Sequence, residues 1–501
     1  MLNRNMKAIF NLTDKSINGW TLGISLVYIL ISAILIYFEN WYMALVPVGI
    51  FVGYMAFYKL NWLFMVVVAC VPLSVELRFI VPDLPIDMYL PTEPLIVGMM
   101  VLFVMKWIFE GTFDYKVITH PISIALFIYM GWLVVATAAS TMPLVSIKYV
   151  LSRFWFFVVF FLIGSQFFKE KKNIQVFVWL YSITLIGVIG YSIFRLAQVG
   201  LTDHQFANRN CWPFYADHTS YGAVLVMLLP VLIAFLIANK QVSNTQRFFH
   251  IIVILIYIAA TILSYTRAAW LTLILACGVG LLIHWRVKFW AVLVAAGAIV
   301  AIIFAFQTEI YFMLNDNKQD SASDLTKHLQ SAYNVKTDAS NVERINRWNC
   351  AIRMFEERPV FGFGPGTYQF SYAPFQHARE RTIISTNFGT GGNAHSEYLG
   401  TLSESGLLGM LAIIYVFIAT FLTGIRVYRK TQDKKTRIIS MSLLLGLITY
   451  IFHAYLNNFL DTDKVASLFW GFAAALAAYE IYHIPQEAKE KEKALKEVDS
   501  Q

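Results

Sequence analysis

The sequence predicts an all-α polytopic membrane protein with about 12–14 transmembrane helices and one large helical periplasmic loop. Three observations predict this class. Of the 501 residues, 58% are hydrophobic and 14% are charged, whereas charged residues make up roughly 25% of an average soluble domain. The apolar residues recur in runs close to the roughly 20 helical residues that cross about 30 Å of hydrocarbon. Lysine and arginine concentrate in alternate connecting segments, as the positive-inside rule expects.

The apolar runs define the predicted spans along the chain. The first run has no convincing small-residue cleavage site, which favours an uncleaved first span. The third run is the weakest because Pro72 and Glu76 shorten it, and a re-entrant or interfacial segment is the alternative. The predicted spans are residues 20–37, 41–58, 61–75, 92–109, 121–140, 154–168, 174–194, 220–238, 249–265, 268–284, 288–306, 405–426, 437–457 and 465–483.

The basic residues also predict the orientation, since short cytoplasmic loops hold the excess of positive charge. Both termini are expected in the cytoplasm and the long polar loop on the outer side of the membrane. The net charge of +8 follows from this bias, so no nucleic-acid partner is needed to explain it. The predicted organisation is a membrane domain of about eleven spans over 1–306, a periplasmic loop over 307–394 that caps the site, three further spans over 395–484, and a charged cytoplasmic tail over 485–501.

Arginine and lysine are distributed unequally between the two predicted sides of the membrane. Arginine predominates in the outer segments and lysine in the inner ones. The planar guanidinium fork suits phosphate and carboxylate groups, whereas a lysine acts more as a point charge. The asymmetry predicts anion binding at the outer face, with solubility and ordinary ion pairing as the alternative.

Two candidate arginines lie in outer segments outside the large loop. Arg267, in SYTRAAW, occupies a minimal turn between two spans, where a charge at the hydrocarbon boundary is costly and usually functional. Its alternative is snorkelling to lipid headgroups. Arg209 lies in the aromatic segment FANRNCWPFYADHTSYGA, and a site role and a structural role are equally favoured for it.

The large loop carries a predicted helix that Pro359 ends. Arg344 and Arg347 lie three residues apart on this helix and therefore share a face, from which both can grip one phosphate group. Ion pairing with Glu343 or Glu356 is the alternative.

His395 is the predicted general base, with an interfacial histidine that only hydrogen-bonds a carbonyl as the alternative. We expect it in the first turn of the helix that re-enters the membrane, where the helix dipole disfavours a protonated imidazole. Glu397 is a candidate for orienting substrate, or an acid that complements the dipole. Tyr398 shares the face of His395, although an interfacial aromatic belt explains it better. Asp217 and His218 begin another span from the outer side, as site residues or as helix caps.

Several motifs are missing, which narrows the class. There is no GxxxxGK[ST] loop for ATP and no HExxH zinc motif. The pair Asp461 and Asp463 has a spacing seen in metal-dependent sites, but two acids alone support metal weakly. We therefore predict no metal and no cofactor. Cys211 and Cys350 both lie in outer segments, and the sequence leaves open whether they pair.

Three segments together resemble the bacterial O-antigen ligase and O-antigen polymerase family: SYTRAAW, RINRWNCAIRMFEERPVFGFGPGTY and NAHSEYLGTLSESGLLG. The resemblance implies an inner-membrane glycosyltransferase that moves a glycan from a polyprenyl diphosphate carrier to a hydroxyl of a glycan or glycolipid acceptor, without nucleotide or metal. It implies that Arg267, Arg344 and Arg347 bind the donor diphosphate, that His395 takes the proton of the acceptor, and that the displacement inverts the anomeric centre. It leaves ligation and polymerisation open.

A transporter or flippase of a lipid-linked glycan is the rival class, because many spans and boundary charges also suit a translocation path. Such a path predicts ionisable residues deep in the spans. The predicted spans are almost free of them, and the candidate residues cluster at the outer boundary. The pattern therefore favours the transferase, with a structural or receptor protein third.

Overall fold

The computed structural model describes most of the chain, in two compact units that comprise residues 1–64 and 65–501. The predicted span 288–306 and the first part of the polar loop fall outside the described residues. These are 14–38, 46–80, 88–111, 113–239, 242–288, 339–382, 385 and 392–499.

The first unit contains two apolar helices, α1 (Asp14–Tyr37) and α2 (Val46–Tyr58). They include the described parts of the first two predicted spans. Helix α3 (Leu60–Cys70) begins in this unit and ends in the second, where a 3-10 turn at Val71–Leu73 follows it. The third predicted span is thus a short apolar helix in the structure.

The second unit is helical apart from one two-stranded antiparallel ladder, in which Val75 pairs with Leu90 and Glu76 with Tyr89. Its elements follow in chain order: β1 Val75–Glu76, α4 Leu77–Ile80, β2 Tyr89–Leu90, α5 Thr92–Glu110, α6 Tyr115–Ile118, α7 Pro121–Ala138, α8 Pro143–Phe156, a π-helix Phe157–Ile163, α9 Gly164–Phe167, α10 Lys171–Val199, α11 His204–Ala207, α12 His218–Ala238, α13 Asn244–Leu263, α14 Arg267–His284, α15 Ala339–Glu357, α16 Tyr368–Ser371, 3-10 turns Ala373–Phe375 and Ala378–Glu380, α17 Glu397–Lys430, α18 Lys434–His453, α19 Asp463–Ala478, a π-helix Tyr479–His483 and α20 Ile484–Asp499.

Ten helical segments of the described chain are long and apolar enough to cross a membrane. Each of them overlaps a predicted span, so the all-α polytopic class is confirmed. Two spans begin earlier than the apolar runs suggested, at Pro143 rather than 154 and at Glu397 rather than 405. Ser146 in the first turn of α8 and Glu397 in the first turn of α17 are buried polar residues, and hydropathy alone does not recognise such turns.

Burial separates central from peripheral helices. In the most apolar stretches of α12 and of the segment Asp463–Glu492, 72% and 83% of the residues are buried, against 22–28% for α5, α13 and α14. The peripheral helices expose large apolar side chains such as Ile108, Ile262 and Ile274, which suits contact with lipid tails. Cys211 and Cys350 are both buried free thiols.

A glycine-rich turn fixes α15 against a kink in α17. The kink lies at Gly406, whose φ of 70° is left-handed, and a Cβ there would overlap the carbonyl of Val360. Phe363 N donates to Ser403 O over 3.0 Å and Gly364 N to Glu404 O over 2.8 Å. These bonds explain why GFGPG and the segment ESG occur together: each requires the close approach of the other backbone.

Candidate functional site

The chain enters α17 through a strained residue. Ser396 caps the helix, since its hydroxyl accepts from Leu399 N over 3.3 Å, and His395 precedes the cap with a φ of 49°. The side chain of Asn393 accepts from the His395 N–H over 3.1 Å and holds that turn. The prediction that His395 lies in the first turn is wrong, because Ser396 is the better capping residue and the helix begins only at Glu397.

The imidazole of His395 lies in a basic and largely buried environment. Burial, followed by the positive charges of Arg347 and Arg344, lowers the pKa of His395 to about 4, against the opposing effects of Asp217 and of a hydrogen bond with Asn457. The ring is therefore neutral at pH 7, as expected, although burial and two arginines rather than the helix dipole are the main causes.

Arg347 is held by several contacts. Its Nε donates to Glu343 Oε1 over 2.8 Å, its Nη1 donates to Asn393 O over 3.0 Å, and its guanidinium lies 5.1 Å from the centre of the Tyr372 ring. It thereby ties α15 to the segment that carries His395. The ion pair with Glu343, the alternative noted from the sequence, is present in the structure.

Arg344 and Arg267 both act electrostatically on His218. Both guanidinium groups lie within electrostatic range of its imidazole, and Arg344 is also within range of His395. The turn before Arg267 is fastened there, because the Thr266 hydroxyl donates to His218 O over 2.8 Å. We call Arg267, Arg344, Arg347, His218 and His395 the arginine cluster.

Asp217 and His218 hold different positions at the start of α12. Asp217 is the cap, and its Oδ1 accepts from Ser220 N and from the Thr219 hydroxyl, each over 2.8 Å. The Nδ1 atom of His218 is buried and has no hydrogen-bond partner among the described residues. Asp217 therefore satisfies its own helix while its charge acts on His218 and His395.

The remaining candidates lie outside the arginine cluster. Arg209 is an exposed residue in the loop after α11. The Tyr398 hydroxyl donates to Ile451 O over 2.9 Å and joins α17 to α18. Glu397 is buried, 3.3 Å from the guanidinium of Arg153, and accepts from the Tyr450 hydroxyl over 2.9 Å. The Glu397 carboxylate therefore makes its contacts with protein groups.

A polar cavity of about 190 Å³ opens beside the residues that flank His395. Three carboxylates line it, so we call it the acidic cavity. Glu404 accepts from Tyr368 N over 3.0 Å, and burial is the main cause that raises the pKa of Asp461 to about 6. The lining includes Tyr149, Tyr368, Ser396, Glu397, Gly400, Thr401, Glu404, Asn458 and Asp461.

Sequence reasoning missed this cavity, although one lining residue and one residue paired with the lining carried a signal. Glu404, which lines the cavity, and Arg153, which pairs with Glu397, are ionisable residues within long apolar helices, where a charge is rare and faces protein or a cavity. Arg153 lies just outside the predicted span 154–168, and Glu404 was noticed only as part of a motif. The backbone return that brings Asn458 and Asp461 beside them leaves no local pattern.

The two acids considered for metal binding face different surroundings. Asp463 Oδ2 accepts from the hydroxyls of Ser74 and Thr92, each over 2.6 Å, and Asp463 Oδ1 lies 3.3 Å from the Lys464 ammonium. Asp461 instead lines the acidic cavity. Within the described part of the chain, no group of three or more His, Cys, Asp or Glu side chains is arranged to hold a metal ion.

The arrangement offers cations for an anionic group next to a neutral imidazole that can accept a proton. Residues 251–414 match the family model described as O-antigen ligase. An uncharacterized protein of Haemophilus influenzae is 23% identical over 227 residues, which cover 44% of this chain and 54% of the relative. The chain thus spans about half the length of that relative. The family match supports a role in glycan transfer at a membrane. Residues 251–414 carry the domain of the O-antigen ligase family, and the resemblance seen in the motifs is confirmed.

Proposed function

We propose that this protein transfers a glycan from a polyprenyl diphosphate carrier to a hydroxyl group of a glycan or glycolipid acceptor, at the periplasmic face of the bacterial inner membrane. The observation that carries the proposal is the attachment of two arginine-bearing segments beside the histidines: Arg347 Nη1 donates to Asn393 O, two residues before His395, over 3.0 Å, and the Thr266 hydroxyl, next to Arg267, donates to His218 O over 2.8 Å. The family match at residues 251–414 supports the same reaction class.

The diphosphate is the part of the donor that needs cations. Arg267 lies at the membrane boundary on a tight turn, and Arg344 lies on α15 within reach of the same imidazole. Charge develops on the diphosphate as the bond from the anomeric carbon to the diphosphate oxygen breaks. Fixed guanidinium groups stabilise that charge without reorganisation of water, so the arginines serve the leaving group. Glu343 restrains Arg347, which orients the third guanidinium.

His395 serves the other end of the displacement. Its neutral imidazole accepts the proton of the acceptor hydroxyl while the acceptor oxygen bonds to the anomeric carbon. The products are the glycosylated acceptor, the polyprenyl diphosphate and an imidazolium that returns its proton to solvent. One attack opposite the leaving group inverts the anomeric centre. Binding of the anionic donor offsets the charges of Arg344 and Arg347, which raises the pKa of His395 towards the working pH and strengthens it as a base.

The test is a transfer assay with purified protein in lipid nanodiscs. Undecaprenyl diphosphate-linked glycan and candidate glycolipid acceptors are supplied, and mass spectrometry follows the joined product and the released undecaprenyl diphosphate. We expect His395→Ala and Arg267→Ala each to reduce transfer by about 10²-fold or more. Wild-type rates of transfer in both variants would refute the proposal.

Two control variants separate loss of chemistry from general damage. His377 is an exposed histidine of the same loop, and Arg247 is an exposed arginine near the start of α13. We expect His377→Ala and Arg247→Ala to retain wild-type transfer. Movement of labelled donor across the bilayer with no covalent product would favour the flippase instead.

A further inference from the structure

The acidic cavity contains buried acceptor atoms that the described protein does not satisfy. Asn458 Oδ1 and Asp461 Oδ1 are both buried and have no hydrogen-bond partner among the described residues. Both residues line the cavity. A buried acceptor without a partner costs free energy, so these atoms favour a ligand that brings hydroxyl donors.

The charge of the cavity restricts the chemistry of that ligand. Glu397, Glu404 and Asp461 line it, and its described lining contains no lysine or arginine. The Arg153 guanidinium compensates Glu397, but Glu404 and Asp461 keep the lining acidic, which disfavours a phosphate group, in contrast to the arginine cluster. The oxygens of Glu397 and Glu404 already accept from Tyr450 and Tyr368, which leaves a neutral ligand with hydroxyl groups as the best match.

The size fits one six-membered ring. The cavity has a volume of about 190 Å³, and a cavity of about 150 Å³ accommodates benzene. Tyr149 and Tyr368 are among the lining residues, but the Tyr368 ring is stacked on Tyr372 and the Tyr149 hydroxyl accepts from Arg153. The polar groups of the lining therefore decide what binds, because carboxylate and amide oxygens pair with the hydroxyl groups of a sugar ring.

The position links this cavity to the proposed reaction. Ala394 and Ser396, the neighbours of His395 in the chain, both line it. His395 itself is not among the described lining residues, so the cavity adjoins the base without containing it. We propose that the acidic cavity binds a single uncharged sugar ring of the acceptor beside the segment that carries His395. That the sugar belongs to the acceptor rests on the proposed transfer reaction. That the cavity binds a sugar rests on the cavity alone.

Direct binding tests the sugar site without turnover. Wild-type protein in nanodiscs is mixed with the methyl glycopyranosides of glucose, galactose and N-acetylglucosamine, with no donor, and saturation-transfer NMR measures binding. We expect at least one glycoside to bind, and Asn458→Leu and Gly400→Ala each to weaken it by about tenfold. The sugar site is overturned if no glycoside binds, or if both variants bind as the wild type does.

Asn458→Leu and Gly400→Ala change the cavity in different ways. Asn458→Leu removes the amide oxygen at similar volume. Gly400→Ala adds a methyl group, and its Cβ would lie 3.5 Å from Ala394 Cβ, which is ordinary contact. The matched control is Gly187→Ala, on an exposed position of α10 where an added Cβ meets nothing within 4 Å. We expect its glycoside binding to equal that of the wild type.

Kinetics then decide between acceptor and donor. In the transfer assay we expect Gly400→Ala to raise KM for the acceptor about tenfold and to leave KM for the donor within about twofold. A rise in donor KM alone would assign the ring to the donor and overturn the inference. If the wild type forms no product while the variants still lose glycoside binding, the transfer function fails and the sugar site stands.

Discussion

The arginine cluster and the acidic cavity both adjoin the start of α17 and differ in charge. Arg344 and Arg347 act electrostatically on His395 in the first region, whereas Glu404 and Asp461 line the second. An anionic group is attracted to the first region and disfavoured in the second. This difference supports a charge sorting, in which the diphosphate binds in the cluster and the neutral sugar in the cavity.

The two regions also differ in how their charges are fixed. In the cavity, the Glu397 carboxylate accepts from the Tyr450 hydroxyl over 2.9 Å and from Leu460 N over 2.8 Å, and it pairs with Arg153. In the arginine cluster, Arg347 is likewise held in a buried ion pair with Glu343, but Arg267 is exposed at the start of α14. Buried ionic contacts thus form a frame around the cavity, whereas the cluster also includes an exposed guanidinium group.

The largest effect is expected where this frame is broken. Arg153→Met removes one partner of a buried ion pair and leaves Glu397 charged and uncompensated, which costs about 3–5 kcal/mol. We expect a lower unfolding temperature and less monodisperse protein in detergent. The double variant Arg153→Met/Glu397→Gln is neutral and still accepts from Tyr450, so it should recover most of the loss. An unchanged unfolding temperature in Arg153→Met would show that the pair does not support the frame.

The next effect tests the assignment of the arginine cluster to the donor. We expect Arg344→Ala to lower kcat/KM for the donor by about 10²-fold, and Arg344→Lys to retain part of the activity because it keeps the charge without the planar fork. The control is Arg379→Ala, an exposed arginine of the same loop. The charge sorting is refuted if Arg344→Ala changes acceptor KM and leaves donor kcat/KM intact.

A smaller effect concerns the pH dependence. The pKa of His395 is lowered to about 4, so the base form is present above that pH and is lost as the pH falls through it. The acidic limb of kcat/KM for the donor, which reports the free enzyme, should therefore lie near pH 4. Arg344→Ala removes one positive charge that acts on the imidazole, so it should move this limb to higher pH. If the acidic limb of the pH profile does not move, the charge of Arg344 does not act on His395.

The sequence predicted the arginine cluster better than the cavity, for a physical reason. Arg267 and His395 stand out because each interrupts an apolar pattern at a membrane boundary, where charge is rare. The ten described membrane helices were found in the same way, since the length of an apolar run depends on local sequence alone.

The cavity depends on contacts between distant parts of the chain. Tyr149 comes from α8, Gly400 from α17 and Asp461 from the turn before α19, and only the folded backbone brings them together. The start of α17 was predicted too early for a related reason: Asn393 and the left-handed His395 delay it, and hydropathy does not register that turn.

The smallest effect is expected at Tyr398, which lies outside both the arginine cluster and the acidic cavity. Tyr398 follows Glu397 on α17, but its hydroxyl donates to Ile451 O over 2.9 Å and its ring packs edge-on against Phe417. Tyr398→Phe removes only that hydrogen bond, so we expect a loss of about 0.5–1.5 kcal/mol in the free energy of unfolding, with donor and acceptor KM unchanged. A chemical denaturation series and the transfer assay measure the two quantities on one preparation. If KM for either substrate rises while stability is unchanged, Tyr398 contacts substrate, and the boundary of the site must include the face of α17 that packs on α18.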